Sequence, residues 1–324
     1  MSDIVVLEPT LACNLACPMC DRSLELRHGA SEASLSPKKY IDAVRPLIGK
    51  GKEFYISGGE PTLWPGLVAL CKEIIDGGAK VSLQTNGTKP KMISALLDVG
   101  VTSFNLSIDG PGSVHDSIRG QGNYKLMCET AAAINASSKG HYVTTTVLSG
   151  YNLSSVEKIF AAFRRDRISP SLMIFELARI FDAEAIRLSA DLAGCETKDV
   201  AVKVANSRNF DFTLEELKNA VERLKRLGRS YRRKITFFPD KLPQQIKLYY
   251  EYQTRKGRDV FCKHRSTLRV DSWANVIPCF TFRNTLGNLL HDDLEAIAKK
   301  SALFWDQLEE RNLAPVCDTC FRLS

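Results

Sequence analysis

Residues 4–20 read IVVLEPTLACNLACPMC. The four apolar residues at 4–7 have the length and β-branched content of a buried strand, and three cysteines follow on a loop without glycine. The same kind of unit returns as EFYISGGEP over 53–61, VSLQTNG over 81–87 and FNLSIDGP over 104–111. Each is a short apolar run that stops at a polar or glycine-bearing loop. Working outward, residues 142–148 and 172–175 also read as strands, giving six with 4–7, 53–56, 81–84 and 103–108. Helical patterns fill the intervals over 37–48, 66–75, 91–99, 125–136 and 154–164, with Ser36 before Pro37 and Ser154 as start signals. Strict alternation of this kind predicts an α/β fold with a parallel sheet of βαβ units. Such sheets carry their working loops at the C-terminal ends of the strands, where the four quoted loops fall.

The alternation stops over 178–261. That stretch reads as helical and charged, with Thr213 capping LEELKNAVERLKRL, a turn bounded by Pro239 and Pro243, and Tyr249, Tyr250 and Tyr252 beyond it. From 262 a small hairpin (268–270 with 275–278) and a helix over 294–308 are expected. Three regions result: a core over 1–178, a helical connection over 179–261 and a C-terminal module over 262–324. No repeat or low-complexity segment interrupts them.

With 44% hydrophobic and 25% charged residues the chain is globular in composition. No apolar run is long enough to span a membrane, and no signal peptide precedes residue 13, so a cytoplasmic protein with no membrane partner is expected. The net charge is +7, and seven basic residues fall between Arg223 and Lys234 without an acid. That run suits an anionic substrate, a nucleic acid or an acidic peptide, or is the solvated end of a helix. Only Tyr231 lies within it, so no nucleic-acid partner is expected.

Seven of the ten cysteines form two groups, and clustered thiols in a cytosolic chain indicate metal or redox chemistry. Cys13, Cys17 and Cys20 are spaced C-x3-C-x2-C. Three thiols leave a structural zinc one ligand short, the nearest histidine being His28. An electron-carrying iron–sulfur cube takes four thiolates, so three leave one iron open to another ligand.

The octapeptide Cys13-Asn14-Leu15-Ala16-Cys17-Pro18-Met19-Cys20 resembles the signature of the radical S-adenosylmethionine (radical SAM) superfamily. Gly58-Gly59-Glu60-Pro61, Thr85-Asn86-Gly87 and Ser107-Ile108-Asp109-Gly110-Pro111 agree in order, and SIDGPGSVHDSIRG is similar to the branch with SPASM or twitch domains. The resemblance covers 4–175 and resumes over 262–320. It implies a partial (β/α)6 TIM-like barrel with a small C-terminal twitch-type module. It also implies a [4Fe–4S] cluster on Cys13, Cys17 and Cys20 that binds S-adenosylmethionine. Gly58, Gly59 and Glu60 would receive the methionyl end, Glu60 accepting from its ammonium, while Ser107 and Arg119 would hold its carboxylate. Asn86 and Asp109 belong to the same cofactor-binding loops. Reductive cleavage would give a 5′-deoxyadenosyl radical that abstracts hydrogen from a substrate.

Cys262, Cys279, Cys317 and Cys320 offer a closed four-thiol site. They resemble the twitch module with its auxiliary [4Fe–4S] cluster, zinc being the alternative. The glycine usual five residues before the second cysteine is Ala274 here, next to Trp273, which puts the hairpin turn in question. An auxiliary cluster implies electron acceptance and a net oxidation, with an external donor such as flavodoxin or ferredoxin supplying the first electron. The leading reading is oxidation of a small molecule such as a sugar or aminocyclitol, since the first cysteine stands at 13 and leaves no room for an N-terminal leader-recognition domain. A peptide maturase forming cross-links, thioethers or epimerised centres is the alternative. A non-catalytic iron–sulfur or zinc protein that binds S-adenosylmethionine is the third.

Among the remaining thiols, Cys71 and Cys128 read as core residues, and Cys195 is a candidate hydrogen donor. His115 and Asp116 are candidates for acid or base, or for fixing their loop. Arg179, Asp182, Glu184 and Asp240 are candidates for a substrate base.

Overall fold

Strand β1 (Ile4–Leu7) lies inside the sheet, with β2 (Glu53–Ile56) on one side and β8 (Thr267–Val270) on the other, both parallel to it. The computed structural model describes residues 3–20, 35–177, 183–200, 211–238 and 262–320. Beyond β2 the sheet continues in parallel through β3 (Lys80–Thr85), β4 (Ser103–Ser107), β5 (His141–Leu148), β6 (Leu172–Leu177) and β7 (Ile235–Phe238). On the β8 side, β9 (Asn275–Ile277) and β10 (Gly287–Asn288) add antiparallel. The order is β10-β9-β8-β1-β2-β3-β4-β5-β6-β7, so among the described residues the barrel is partial and not closed.

The two-residue period of the strands sorts their side chains. Phe54, Ile56, Val81, Leu83, Phe104, Leu106, Met173 and Phe175 are buried beneath the helices in one core. Tyr55, Gln84, Asn105, Thr145, Ile174 and Glu176 point the other way, into the lumen.

Helices α1 (Pro37–Val44), α2 (Leu67–Asp76), α3 (Pro90–Asp98), α5 (Asn123–Ala136) and α6 (Ile159–Arg165) form where helical patterns were expected, with shifted ends. Pro46 converts the end of the first into a 3-10 turn, Arg45–Leu47, because a proline lacks the N–H that a helix interior needs. Ser36 makes no capping bond, and a 3-10 turn, Val156–Lys158, precedes α6 in place of the start expected at Ser154. A further helix, α4 (Gly112–Arg119), was not foreseen.

The connecting region is not wholly helical. Helices α7 (Ala183–Ala193) and α8 (Leu214–Ser230) form, the latter with the capping box of Thr213 and Glu216, but β7 follows as a seventh parallel strand on β6. Pro239, Pro243 and the three tyrosines lie outside the described residues. Helix α9 (Leu294–Glu310) closes over β8.

Candidate active site

The pairing of β1 with β2 runs on past both strand ends into the cysteine loop. Gly59 N donates to Thr10 O at 2.9 Å and Glu60 N to Ala12 O at 2.7 Å. This approach needs glycine: a Cβ on Gly58, whose φ is +126°, would stand 2.3 Å from Thr10 O, and one on Gly59 2.1 Å from Ala12 O. The resemblance assigns these glycines to close approach of the cofactor; the structure adds a close approach of their own loop to the cysteine-loop carbonyls, which lie where a Cβ would stand.

The Glu60 carboxylate, 1% exposed, accepts from Thr62 N at 3.1 Å, Thr85 Oγ1 at 2.7 Å and Asn86 N at 2.7 Å. Burial pushes its pKa up, against these donors, which favour the ionised form. Asn86 Nδ2 donates to Asn14 Oδ1 at 3.0 Å, and Asn14 Nδ2 to Thr88 Oγ1 at 3.0 Å. Glu60 and Asn86 therefore tie three loops together, with the cysteine loop in the middle.

The fourth loop brings in Arg119. Asp109 is fully buried; it accepts from Arg119 Nε and, at 3.0 Å, from Val147 N. Helix α4 spans the interval and sets the guanidinium beside Cys17 and Cys20. Burial opposes its charge, but Asp109 and the Cys17 thiol raise its pKa. Burial likewise pushes the Cys17 thiol up to about 11, with Arg119 working against that rise. Met19 and Ile118 pack around Cys17 in a small apolar cluster, shielding this thiol from water.

Ser107 Oγ accepts from Gln84 Nε2 at 2.9 Å, and Gln84 Oε1 accepts from the Tyr55 hydroxyl at 2.6 Å. His115 is fully buried, its Nδ1 receiving Asp109 N at 3.4 Å; burial lowers its pKa to about 4, so it is neutral. Asp116 accepts from Gly122 N and Tyr124 N. Both residues brace the loop.

In the second group Cys262, Cys279 and Cys317 are buried. Cys262 feels the charges of the other three, and burial pushes its thiol strongly upward. Cys279 Sγ accepts N–H bonds from Thr281 at 3.3 Å and Phe282 at 3.2 Å, and Cys320 N turns back to Cys317 O at 2.9 Å. Ala274 keeps the turn that its missing glycine put in question: its φ is +63°, and Asp271 Oδ1 accepts from Trp273 N and Asn275 N. This segment is fastened to β1 by Glu8, fully buried, whose carboxylate receives Arg269 and, at 2.7 Å, Arg283.

A cavity of about 440 Å³ lies between the two groups. Tyr55, Gln84, Asn105, Ser107, Arg119 and Thr145 line it from the sheet, and His264, Arg269 and Phe280 from the C-terminal segment. Of the expected cofactor residues, Ser107 and Arg119 are on this wall; Gly58, Gly59, Glu60, Asn86 and Asp109 do not line it, the last three being buried. Cys195 is not brought there: it follows α7, half-buried against the main core. Cys71 is buried in the core and Cys128 packs against it. Glu184 is exposed on the first turn of α7, and Arg179, Asp182 and Asp240 lie outside the described residues. Arg269, Glu176 and Glu8 went unforeseen, and the sequence carried no local signal for them.

The donor set fits iron–sulfur clusters. Each group offers thiols alone, with an arginine or backbone N–H groups placed to favour thiolates. Among the described residues no three His, Cys, Asp or Glu side chains meet closely enough to share one ion. A four-iron cube takes one thiolate at each iron and does not ask them to meet.

Residues 7–163 match the family model described as the radical SAM superfamily. The chain carries a radical SAM domain. The superfamily uses a [4Fe–4S] cluster and S-adenosylmethionine. The domain is 33% identical over 166 residues to the AdoMet-dependent heme synthase of Methanosarcina barkeri, covering 48% of this chain and 46% of that one. It is 33% identical over 108 residues to the PqqA peptide cyclase of Rhodopseudomonas palustris, covering 33% and 28%. To the mycofactocin maturase MftC of Mycobacterium tuberculosis it is 26% identical over 176 residues, covering 51% and 44%. The matches thus span less than half the length of these curated relatives. Among solved structures, native anSMEcpe with AdoMet and the Cp18Cys peptide gives a TM-score of 0.65 at 18% identity, covering 94% of this chain and 82% of that one. SuiB of Streptococcus suis bound to S-adenosylmethionine gives 0.63 at 13%, covering 94% and 66%. At these identities the likeness is one of fold. Among the described residues no helix is long and apolar enough to cross a membrane.

Proposed function

We propose that the chain is a radical SAM enzyme whose substrate reacts in the cavity between the two cysteine groups. One observation carries this reading: a single cavity of mixed polar and apolar lining takes part of its wall from Ser107 and Arg119, and part from the segment of the second thiol group. Cys13, Cys17 and Cys20 would hold the cluster that binds S-adenosylmethionine, and Cys262, Cys279, Cys317 and Cys320 the auxiliary one. When bound, these groups supply a carbon radical able to take a hydrogen atom and an acceptor for the electron left on the substrate.

The chain's own residues orient and exclude. The Arg119 guanidinium, turned by Asp109, offers its remaining N–H groups to a carboxylate, and Ser107, already accepting from Gln84, has its hydroxyl proton left to donate. Glu60 and Asn86 hold the cysteine loop that these residues address. In this reading residues 1–178 are the catalytic core, 179–261 the connection and 262–324 the auxiliary module.

The substrate proposed is a peptide, as the names of the PqqA peptide cyclase and the maturase MftC suggest. Oxidation of a sugar or aminocyclitol is the second reading, supported by the amide and hydroxyl lining of Tyr55, Gln84, Asn105 and Thr145. The test is anaerobic reconstitution followed by iron and sulfide counts, with 5′-deoxyadenosine measured after reduction. About eight irons per chain, about four in a Cys13, Cys17, Cys20→Ala variant, and 5′-deoxyadenosine from the wild type alone are expected. Wild type with no 5′-deoxyadenosine above background would reject the enzyme; four irons with none in the variant would mean that the second group holds zinc or no metal.

A further inference from the structure

At the end of the sheet opposite the cysteines, three neighbouring loops lead into β5, β6 and β7. Lys139 lies in the first, Arg164, Arg165 and Arg167 in and before the second, and Arg229, Arg232, Arg233 and Lys234 in and before the third. The loops are stitched together: Arg233 Nη1 donates to Ser169 Oγ at 2.8 Å, Ser169 N to the Tyr142 hydroxyl at 2.7 Å, and Asn135 Nδ2 to Arg167 O at 3.5 Å. The one acid in them, Asp166, is paired with Arg165 and accepts from Tyr124. All these cations are exposed except Arg233, which is half-buried.

The backbone provides a second observation. Helices α6 and α8 end in the same turn, with Ile168 N on Phe163 O and Arg233 N on Gly228 O, both at 2.8 Å. That turn places one residue in the left-handed region, where glycine or asparagine is favoured. Helix α9 ends likewise and uses Asn312, at φ +56°; α6 and α8 use Arg167 and Arg232, at φ +57° and +50°. Attraction to the helix C-terminus is already available from Arg164, Arg165 and Arg229 within the last turns. It does not call for arginine at the one strained position.

We infer that this basic end of the barrel is a docking face for an acidic polypeptide segment. The inference rests on charge and backbone alone and is independent of the reaction. Nucleic acid fits less well, because among the described residues no exposed aromatic ring interleaves the cations: Tyr231 packs on Phe160 with centroids 5.6 Å apart. The face lies away from the cavity, so it can be altered without touching the chemistry.

The experiment uses the full reconstituted chain and a fluorescein-labelled decaglutamate peptide, read by anisotropy over a salt series. Wild type should bind saturably and weaken with salt. Replacing Arg229, Arg232 and Lys234 by Ala should weaken binding roughly tenfold, three exposed ion pairs' worth, with 5′-deoxyadenosine formation unchanged. A control triple at the exposed Lys38, Lys39 and Lys300 should bind as wild type. Arg167→Gly with Arg232→Gly should raise the melting temperature while weakening the peptide. No saturable binding, equal loss in the control triple, or tighter binding of a thymidine 20-mer than of decaglutamate would each overturn the assignment.

Discussion

Ala274 holds a left-handed turn that a side chain normally avoids, at φ +63°, with its methyl buried. Two effects oppose each other on replacement by glycine: relief of roughly 1 kcal/mol of backbone strain, and loss of a buried methyl worth about as much with added freedom in the unfolded chain. Ala274→Gly should therefore lie close to neutral. Ala274→Val adds bulk and β-branching in the same conformation and should cost about 2–3 kcal/mol in urea unfolding. Equal stability of the two variants would show that the turn is not left-handed. At this scale the thiols were legible because their spacing is local, whereas the cavity wall was not. Tyr55, Gln84, Asn105 and Thr145 come together only once four strands are in register, and each alone looks like one polar residue in an apolar run.

Between elements, the contact of most consequence is the buried triad of Glu8 with Arg269 and Arg283, which joins the end of β1 to the segment carrying the second thiol group. Removing one partner of a buried pair typically costs 3–5 kcal/mol, because the charges left behind stay desolvated without their counter-charge. Glu8→Ala should show that loss on thermal unfolding and should expose 262–320 to limited proteolysis before the rest of the chain. Proteolysis that begins elsewhere would mean that the segment is anchored by other contacts. The six strands and five helices foreseen from alternation are present, because period-2 and period-3.6 patterns are properties of each segment. Strand β7 was missed because ITFF directly follows a basic helix end and was read as part of the charged helical stretch. Helix α4 was missed because its short span was read as loop chemistry.

For the whole molecule, the parallel docking of β8 on β1 makes the second thiol group part of the main sheet. A chain ended at residue 261 would turn β1 into an edge strand with unpaired N–H and C=O groups, a template for pairing with other chains. It should elute as aggregates from size exclusion and lack a cooperative melt. A soluble, cooperatively melting 1–261 fragment would show instead that the core stands alone. No segment-level pattern could reveal this joint, since Glu8 and Arg269 are separated by 261 positions. That separation also bears on biosynthesis. On the ribosome, β1 and the first three thiols emerge early, but the neighbour that completes their strand pairing arrives on the order of tens of seconds later, at 5–20 residues per second. The nascent chain must pass that interval with one flank of β1 bare, open to a chaperone or to another chain, and cluster loading before release would meet a half-built sheet.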